Sequence, residues 1–145
     1  MKLSTRTRYG MRALLELGLA HNTGPLQIKV IAEHQNISNK YLEQLVAMLK
    51  TAGLVRSIRG PHGGYVLAKP PHDIRLVEVF KTLEGPVLTV ECTEDEGICT
   101  NSADCITRRL WNEVNEAILN VLDSKTLGDL VELTKKDKQK MSYQI

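Results

Sequence analysis

The sequence predicts a mainly α fold interrupted by one small β-hairpin. Three features carry that expectation. Apolar residues recur at helical spacing in three segments before residue 53, two short alternating runs flank a Gly-rich tip at 60–64, and a strongly amphipathic stretch covers 106–123. Of the 145 residues 42% are hydrophobic but only 4% aromatic, so the apolar content is mostly Leu, Val, Ile and Ala, which favours helices.

The first helix is expected from Thr5 to about His21, with Tyr9, Ala13 and Leu17 on one face and Leu14 and Gly18 broadening it. Asn22-Thr23-Gly24-Pro25 stops it. A short second helix reads from about Ile28 to His34, followed by the turn Gln35-Asn36-Ile37-Ser38. Ser38 is a good N-cap for a third helix running to about Ala52. Leu42, Leu45, Val46 and Leu49 share its inner face, and Lys40, Glu43, Gln44, Ala47 and Thr51 the opposite one. The run Leu54–Arg59 alternates as a strand, Gly60-Pro61-His62-Gly63-Gly64 makes a tip, and Tyr65–Ala68 returns as the second strand. Helix, helix, turn, helix and hairpin together describe a winged helix-turn-helix.

Pro70-Pro71 marks a boundary. A helix follows over Leu76–Leu83 and ends at Gly85-Pro86, after which residues 87–105 show no periodicity. A long helix over Ile106–Asp123 carries Leu110, Val114, Ala117, Ile118, Val121 and Leu122 on one stripe, and a last helix covers about Leu127–Thr134. The expected organisation is a winged helix-turn-helix DNA-binding domain over 1–70, a linker helix and cysteine-bearing loop over 71–105, a dimerisation helix and terminal helix over 106–134, and a flexible tail over 135–145.

Charge is divided unevenly. Residues 1–70 hold ten Lys/Arg against three acids, a net +7, while residues 71–145 hold nine against fourteen, a net −5. A phosphate-binding surface needs local cations, so the first half suits a polyanion. The third helix presents Asn39, Lys40, Glu43 and Gln44 near its start, where Gln can bond adenine, Glu can accept from cytosine, and Lys can reach guanine or phosphate. Arg59 and Gly60 stand at the hairpin tip, where small residues let the backbone approach DNA and an arginine suits a narrow minor groove. The expected partner is double-stranded DNA. Reading two half-sites needs two copies of the reading helix, and the apolar stripe of the long helix is the element expected to make a homodimer.

No apolar run approaches the roughly 20 residues of a membrane span, and Met1–Arg6 has no stretch of signal-peptide type, so no membrane partner and a cytoplasmic location are expected. Cys92, Cys99 and Cys105 are the only cysteines. An odd number within one short stretch argues for a metal, a cluster or a reactive thiol and against a disulfide framework. Catalysis is not expected: there is no Cys-x-x-Cys pair, and His21, His34, His62 and His72 are scattered. Zinc on the three cysteines lacks the short spacing such sites use.

Three segments carry a family resemblance: Met1–Thr5, Ile37–Leu45 with its Tyr-Leu-Glu-Gln-Leu core, and the wing Ser57–Tyr65 with Arg-Gly-x-x-Gly-Gly-Tyr. With Thr126–Leu130 they make the chain similar, from Met1 to about Leu133, to the iron–sulfur-cluster regulator family, the IscR-like winged helix-turn-helix transcription regulators. The resemblance implies a dimer that binds imperfect palindromes, with DNA contacts on Lys40, Tyr41, Glu43 and Gln44 and with Arg59 in the minor groove. It also implies a [2Fe–2S] cluster on Cys92, Cys99 and Cys105.

The chain departs from the family's best-known pattern in two ways. Its spacing is Cys-x6-Cys-x5-Cys, one residue longer in the first gap, and Arg108 stands where a ligand histidine is found. A guanidinium stays protonated and ligates iron poorly. Some relatives draw a carboxylate at position 8 from the partner subunit, but here that residue is Arg8. The fourth ligand is left among Glu91, Glu94, Asp95, Glu96, Asp104, a histidine brought near by dimerisation, and a small exogenous group. The alternative is a cluster-free regulator of cysteine and sulfur metabolism, acting through thiols or a partner enzyme, towards which Val77–Pro86 and the C-terminal Met141–Ile145 lean.

Overall fold

The computed structural model describes residues 2–87 and 89–143, and among them six α-helices and one two-stranded antiparallel sheet. The helices are α1 (Thr5–Leu19), α2 (Ile28–Gln35), α3 (Asn39–Thr51), α4 (Leu76–Leu83), α5 (Ile106–Asp123) and α6 (Leu127–Tyr143), and the strands are β1 (Val55–Ile58) and β2 (Gly64–Leu67). The mainly α fold with a hairpin wing agrees with the sequence reading.

Local chemistry sets the ends of these elements. Ser4 caps α1 by accepting from the Thr7 N–H, and Ser38 caps α3 by accepting from the Tyr41 N–H, each at 3.1 Å. Between α2 and α3 the chain reverses at Asn36, whose left-handed backbone (φ 54°) ends α2. The start of α6 is a reciprocal capping box. Asp129 accepts from the Thr126 N–H at 2.8 Å while the Thr126 hydroxyl accepts from the Asp129 N–H at 3.2 Å. Those two bonds from Thr126, partly offset by desolvation and aided by the charges of His72 and Lys125, hold the Asp129 carboxyl below its ordinary value.

The core is a single cluster. Leu14, Ile31, Leu42, Leu49 and Leu54 from the first half pack with Ile74, Val79, Leu83 and Leu127 from the second, all fully buried. Pro70-Pro71 is therefore a change of direction and not a gap in packing. Gly10 and Gly18 of α1 make this possible: a Cβ on Gly10 would lie 2.5 Å from Leu83 Cδ1, and one on Gly18 2.7 Å from Val131. A two-residue β-bridge pairs Arg75 with Thr126 and ties the starts of α4 and α6 together.

Two expectations about the second half change. The last helix, expected to stop near Thr134 with a flexible tail behind it, continues to Tyr143. Its extension, 135–143, contains Lys, Gln and Met and neither Gly nor Pro, so helix propensity carries it where no apolar period does. Gln144 and Ile145, the rest of that expected tail, lie outside the described residues. Residues 91–104, read as aperiodic, form three short 3₁₀ turns at Glu91–Thr93, Glu96–Ile98 and Ser102–Asp104.

Candidate nucleic-acid interface and cysteine loop

The outer face of α3 is the first part of the candidate interface. Leu42, Leu45, Val46 and Leu49 are buried, which turns Asn39, Lys40, Glu43 and Gln44 outward, and all four are exposed. Their polar groups lie within the first two turns, the part of such a helix that meets base edges. Tyr41 differs from them. It is half-buried, its hydroxyl donates to Thr5 Oγ1 at 3.4 Å, and its ring meets Tyr9 edge-on at a centroid distance of 6.2 Å. Arg12 in turn lies 5.3 Å from the centroid of the Tyr9 ring. Tyr41 thus joins α3 to α1.

The wing is the second part. β1 and β2 pair from Val55↔Leu67 to Ile58↔Gly64, and Leu26 adds a third edge by exchanging both hydrogen bonds with Tyr65, at 3.0 and 2.8 Å. At the tip, Arg59 and Gly60 are exposed, and the Gly63 N–H donates to the Gly60 carbonyl at 3.0 Å. Gly60 has φ 117°, a conformation costly for any side chain, and a Cβ on Gly63 would run into the Ile58 carbonyl oxygen. The glycines fix a tight tip that carries Arg59 outward, and Lys50 Nζ braces the wing by donating to Ser57 Oγ at 3.1 Å.

The cysteines occupy one loop between α4 and α5. Cys92 lies within the first 3₁₀ turn, Cys99 follows the second, and Cys105 follows the third and occupies the N-cap position of α5. All three thiols are free, with Cys99 exposed and the other two half-buried. The loop puts them on one segment without converging them, since no three His, Cys, Asp or Glu side chains among the described residues are grouped to share a metal ion. In type, the donors fit a cluster: three thiols, none in a disulfide, each at or in a short turn. Cys105 sits among hydrogen-bond partners at the start of α5. The Thr107 hydroxyl at 3.1 Å and then the Arg108 N–H outweigh desolvation and, aided by the Thr107 N–H and the Arg108 charge, hold its thiol below the ordinary value.

Two residues hold this loop, Asn115, which the sequence reading did not single out, and Arg108, noted there only as standing at the expected ligand position. Asn115, the one buried residue of α5, accepts from the Thr89 N–H at 3.0 Å and donates to Thr93 Oγ1 at 3.1 Å. Arg108, the residue at the expected ligand position, donates from Nε to the Cys92 carbonyl at 2.8 Å and from Nη2 to Glu96 at 3.1 Å. Of the other candidates for a fourth ligand, Asp95 accepts from the Gly97 N–H at 2.8 Å, and Glu91, Glu94 and Asp104 are exposed. Only the position of a lone buried-facing Asn in an amphipathic helix signals Asn115 in the sequence.

The apolar stripe of α5 is largely uncovered. Leu110 is 50% exposed and Val121 58%, with Ile106 and Trp111 also exposed. Leu3 and Phe80 join Ala117, Ile118, Val121 and Leu122 to line an apolar groove beside it. No helix among the described residues is long and apolar enough to cross a membrane.

Comparison with known proteins places these features in context. A family model described as Rrf2, iron-dependent transcriptional regulator, matches residues 3–133. The HTH-type transcriptional regulator CymR of Bacillus subtilis is 43% identical over 145 residues, all of both chains. The HTH-type transcriptional regulator IscR of Klebsiella pneumoniae is 39% identical over 131 residues, covering 90% of this chain and 80% of that protein. Among solved structures, CymR of B. subtilis, described as its global cysteine regulator, superposes with a TM-score of 0.78 at 44% identity, covering 92% of this chain and 98% of that one. IscR of T. potens superposes with a TM-score of 0.79 at 38% identity, covering 94% and 90%.

Proposed function

The chain belongs to the Rrf2 family of transcriptional regulators, and from that premise we propose that it binds an imperfect DNA palindrome as a homodimer under the control of its cysteine loop. The observation that carries the reading is the joint exposure of Asn39, Lys40, Glu43 and Gln44 on α3 and of Arg59 and Gly60 at the wing tip. In this reading Lys40 takes phosphate or guanine, Glu43 and Gln44 read base edges, and Arg59 enters the minor groove beside them. Tyr41 serves chiefly by fixing α3 to α1.

Homodimerisation is supported by the uncovered stripe of α5. A helix of 18 residues that buries only Asn115 leaves apolar surface that water disfavours, and a second copy of the same stripe supplies the complementary face. The pair of α3 helices would then be held at fixed spacing for two half-sites. A bacterial operator lies in the cytoplasm, which is where this reading puts the protein, and it acts there by binding rather than catalysis.

Cys92, Cys99 and Cys105 are the residues that would hold a [2Fe–2S] cluster, with the fourth ligand outside position 108. When bound, such a cluster supplies a redox- and iron-sensitive cross-link between the turns. The chain's own part is to deliver thiolate at Cys105, to anchor the loop on α5 through Asn115, and to hold Cys92 and Glu96 through Arg108. A second reading, in which the thiols or a partner enzyme carry the signal without a cluster, is favoured by Arg108 filling the ligand position and by the full-length likeness to CymR. Iron and acid-labile sulfide in anaerobically prepared protein separate the two.

The DNA reading is tested by substitution on α3. Gln44→Ala should cost about 1–3 kcal/mol at one base position and relax preference there, whereas Lys40→Ala should weaken binding and lower the salt slope by about 1. Equal binding of both variants and the parent to a duplex selected from a random pool would remove α3 from the interface.

A further inference from the structure

Glu84 caps the C-terminal end of α4, one residue before the left-handed Gly85 (φ 94°) from which the cysteine loop departs. Its Oε2 accepts from the Ser4 N–H at 3.3 Å, from the Ser4 hydroxyl at 2.7 Å and from the Thr7 hydroxyl. Beside it, Arg6 Nε donates to the Leu83 carbonyl at 2.7 Å. Four hydrogen bonds therefore join the root of the cysteine loop to the first turn of α1, across some eighty positions of sequence. That same turn supports the recognition helix from its other side. Thr5 receives the Tyr41 hydroxyl, and Tyr9, one turn further along, takes the edge contact with the Tyr41 ring. Tyr41 sits in the first turn of α3, between Lys40 and the pair Glu43 and Gln44.

We infer that Glu84 is the positioning residue through which the cysteine loop acts on the recognition helix. The inference rests on the reading that the loop governs DNA binding. When the loop rearranges, the Glu84 carboxylate leaves Ser4 and Thr7, the first turn of α1 loses its anchor, and Thr5 and Tyr9 no longer hold Tyr41 in one place. The coupling is then a contiguous chain of contacts with two arrangements, made or broken at Glu84. A cap that merely stabilised α1 would lower stability without altering how DNA binding responds to the loop.

The test perturbs the loop and reads the DNA. The full-length protein is titrated with a duplex it has selected from a random pool, before and after alkylation of its three thiols with N-ethylmaleimide. The parent should change affinity at least about fivefold, the low end of measured site-to-site coupling. Glu84→Ala should change less than about twofold, a loss of coupling, and Glu84→Gln, which keeps an acceptor for Ser4 and Thr7, should retain most of the response. Thr7→Val removes the donor from the opposite side and should reproduce the Glu84→Ala result if that variant does not fold. Hydrogen exchange gives a local reading. Alkylation should speed exchange at the Thr7 and Tyr41 amides in the parent and leave them unchanged, already fast, in Glu84→Ala. An equal response in parent and Glu84→Ala overturns the relay and leaves the loop reading standing. A parent that does not respond removes the loop reading, and the relay with it.

Discussion

Arg108 donates from Nε to the main-chain carbonyl of Cys92 at 2.8 Å, so the first cysteine of the loop is tied to the helix that begins just after the last. Its guanidinium also reaches Glu96 at 3.1 Å, and its side chain is only 15% exposed. Hydrogen bonds from a charged donor are among the stronger ones, and of its two acceptors the Cys92 carbonyl is partly buried while Glu96 is exposed. Arg108→Ala should therefore loosen the loop and speed alkylation of Cys92 several-fold relative to Cys99, which is exposed already. Arg108→His offers an imidazole at the position of the family's ligand and should prolong the visible absorption of a reconstituted cluster in air. Unchanged thiol reactivity in the first variant would show that Arg108 does not hold the loop.

The wing can be broken without touching the helices. Gly63→Ala sets a methyl group against the Ile58 carbonyl and should cost about 1–3 kcal/mol, measured as a lower Tm with an unchanged helical circular dichroism signal. Arg59→Ala leaves the tip intact and should weaken DNA binding by about 1–3 kcal/mol while Tm stays where it was. The pair separates the shape of the tip from its charge.

A carboxylate in the apolar stripe should prevent self-association. Val121 is 58% exposed in the single chain, so Val121→Asp leaves the protomer's core untouched. Burying that charge in a dimer costs several kcal/mol unless it finds a partner. Sedimentation should give a monomer, and affinity for a two-half-site duplex should fall at least about 100-fold, with single half-site binding unchanged.

Acid should release the first turn of α1. The Thr7 hydroxyl first, then the Ser4 hydroxyl and N–H and the Arg6 charge, hold the Glu84 carboxyl below its ordinary value against an opposing desolvation effect. A carboxyl depressed by folding adds stability that is fully present above its unfolded value, about 4.3, and lost as pH falls through the lower folded value. The Tm difference between the parent and Glu84→Gln should therefore be largest at neutral pH and shrink below about pH 4.3. A difference constant across that range would mean the charge of Glu84 contributes nothing.

Much of the fold was legible because its signals are local. Ser38 as a cap, Leu42, Leu45, Val46 and Leu49 on one face, and the glycines at 60, 63 and 64 each state their role within a few residues, and α3 and the wing follow directly. The end of α6 was not legible because Lys135–Tyr143 continues the helix by propensity alone, without the apolar period that marks the other helices. The cysteine loop was legible as a candidate site but not as a structure. Its order comes from Asn115 reaching back to Thr89 and Arg108 to Cys92, contacts that depend on how α5 is placed. The bond from Ser4 to Glu84 crosses 80 positions, and no local pattern announces it. Tyr41 was legible as part of α3, while its attachment to Thr5 and Tyr9 appears only once α1 and α3 are packed.

The measurement that tests the central claim most directly is the affinity of the anaerobically purified protein for its selected palindrome, before and after chelation of its iron. The account predicts that the protein carries iron and acid-labile sulfide, and that their loss changes affinity or sequence preference at least about fivefold. Protein that loses its iron and binds the same duplex with the same affinity and preference would contradict control by a cluster on Cys92, Cys99 and Cys105.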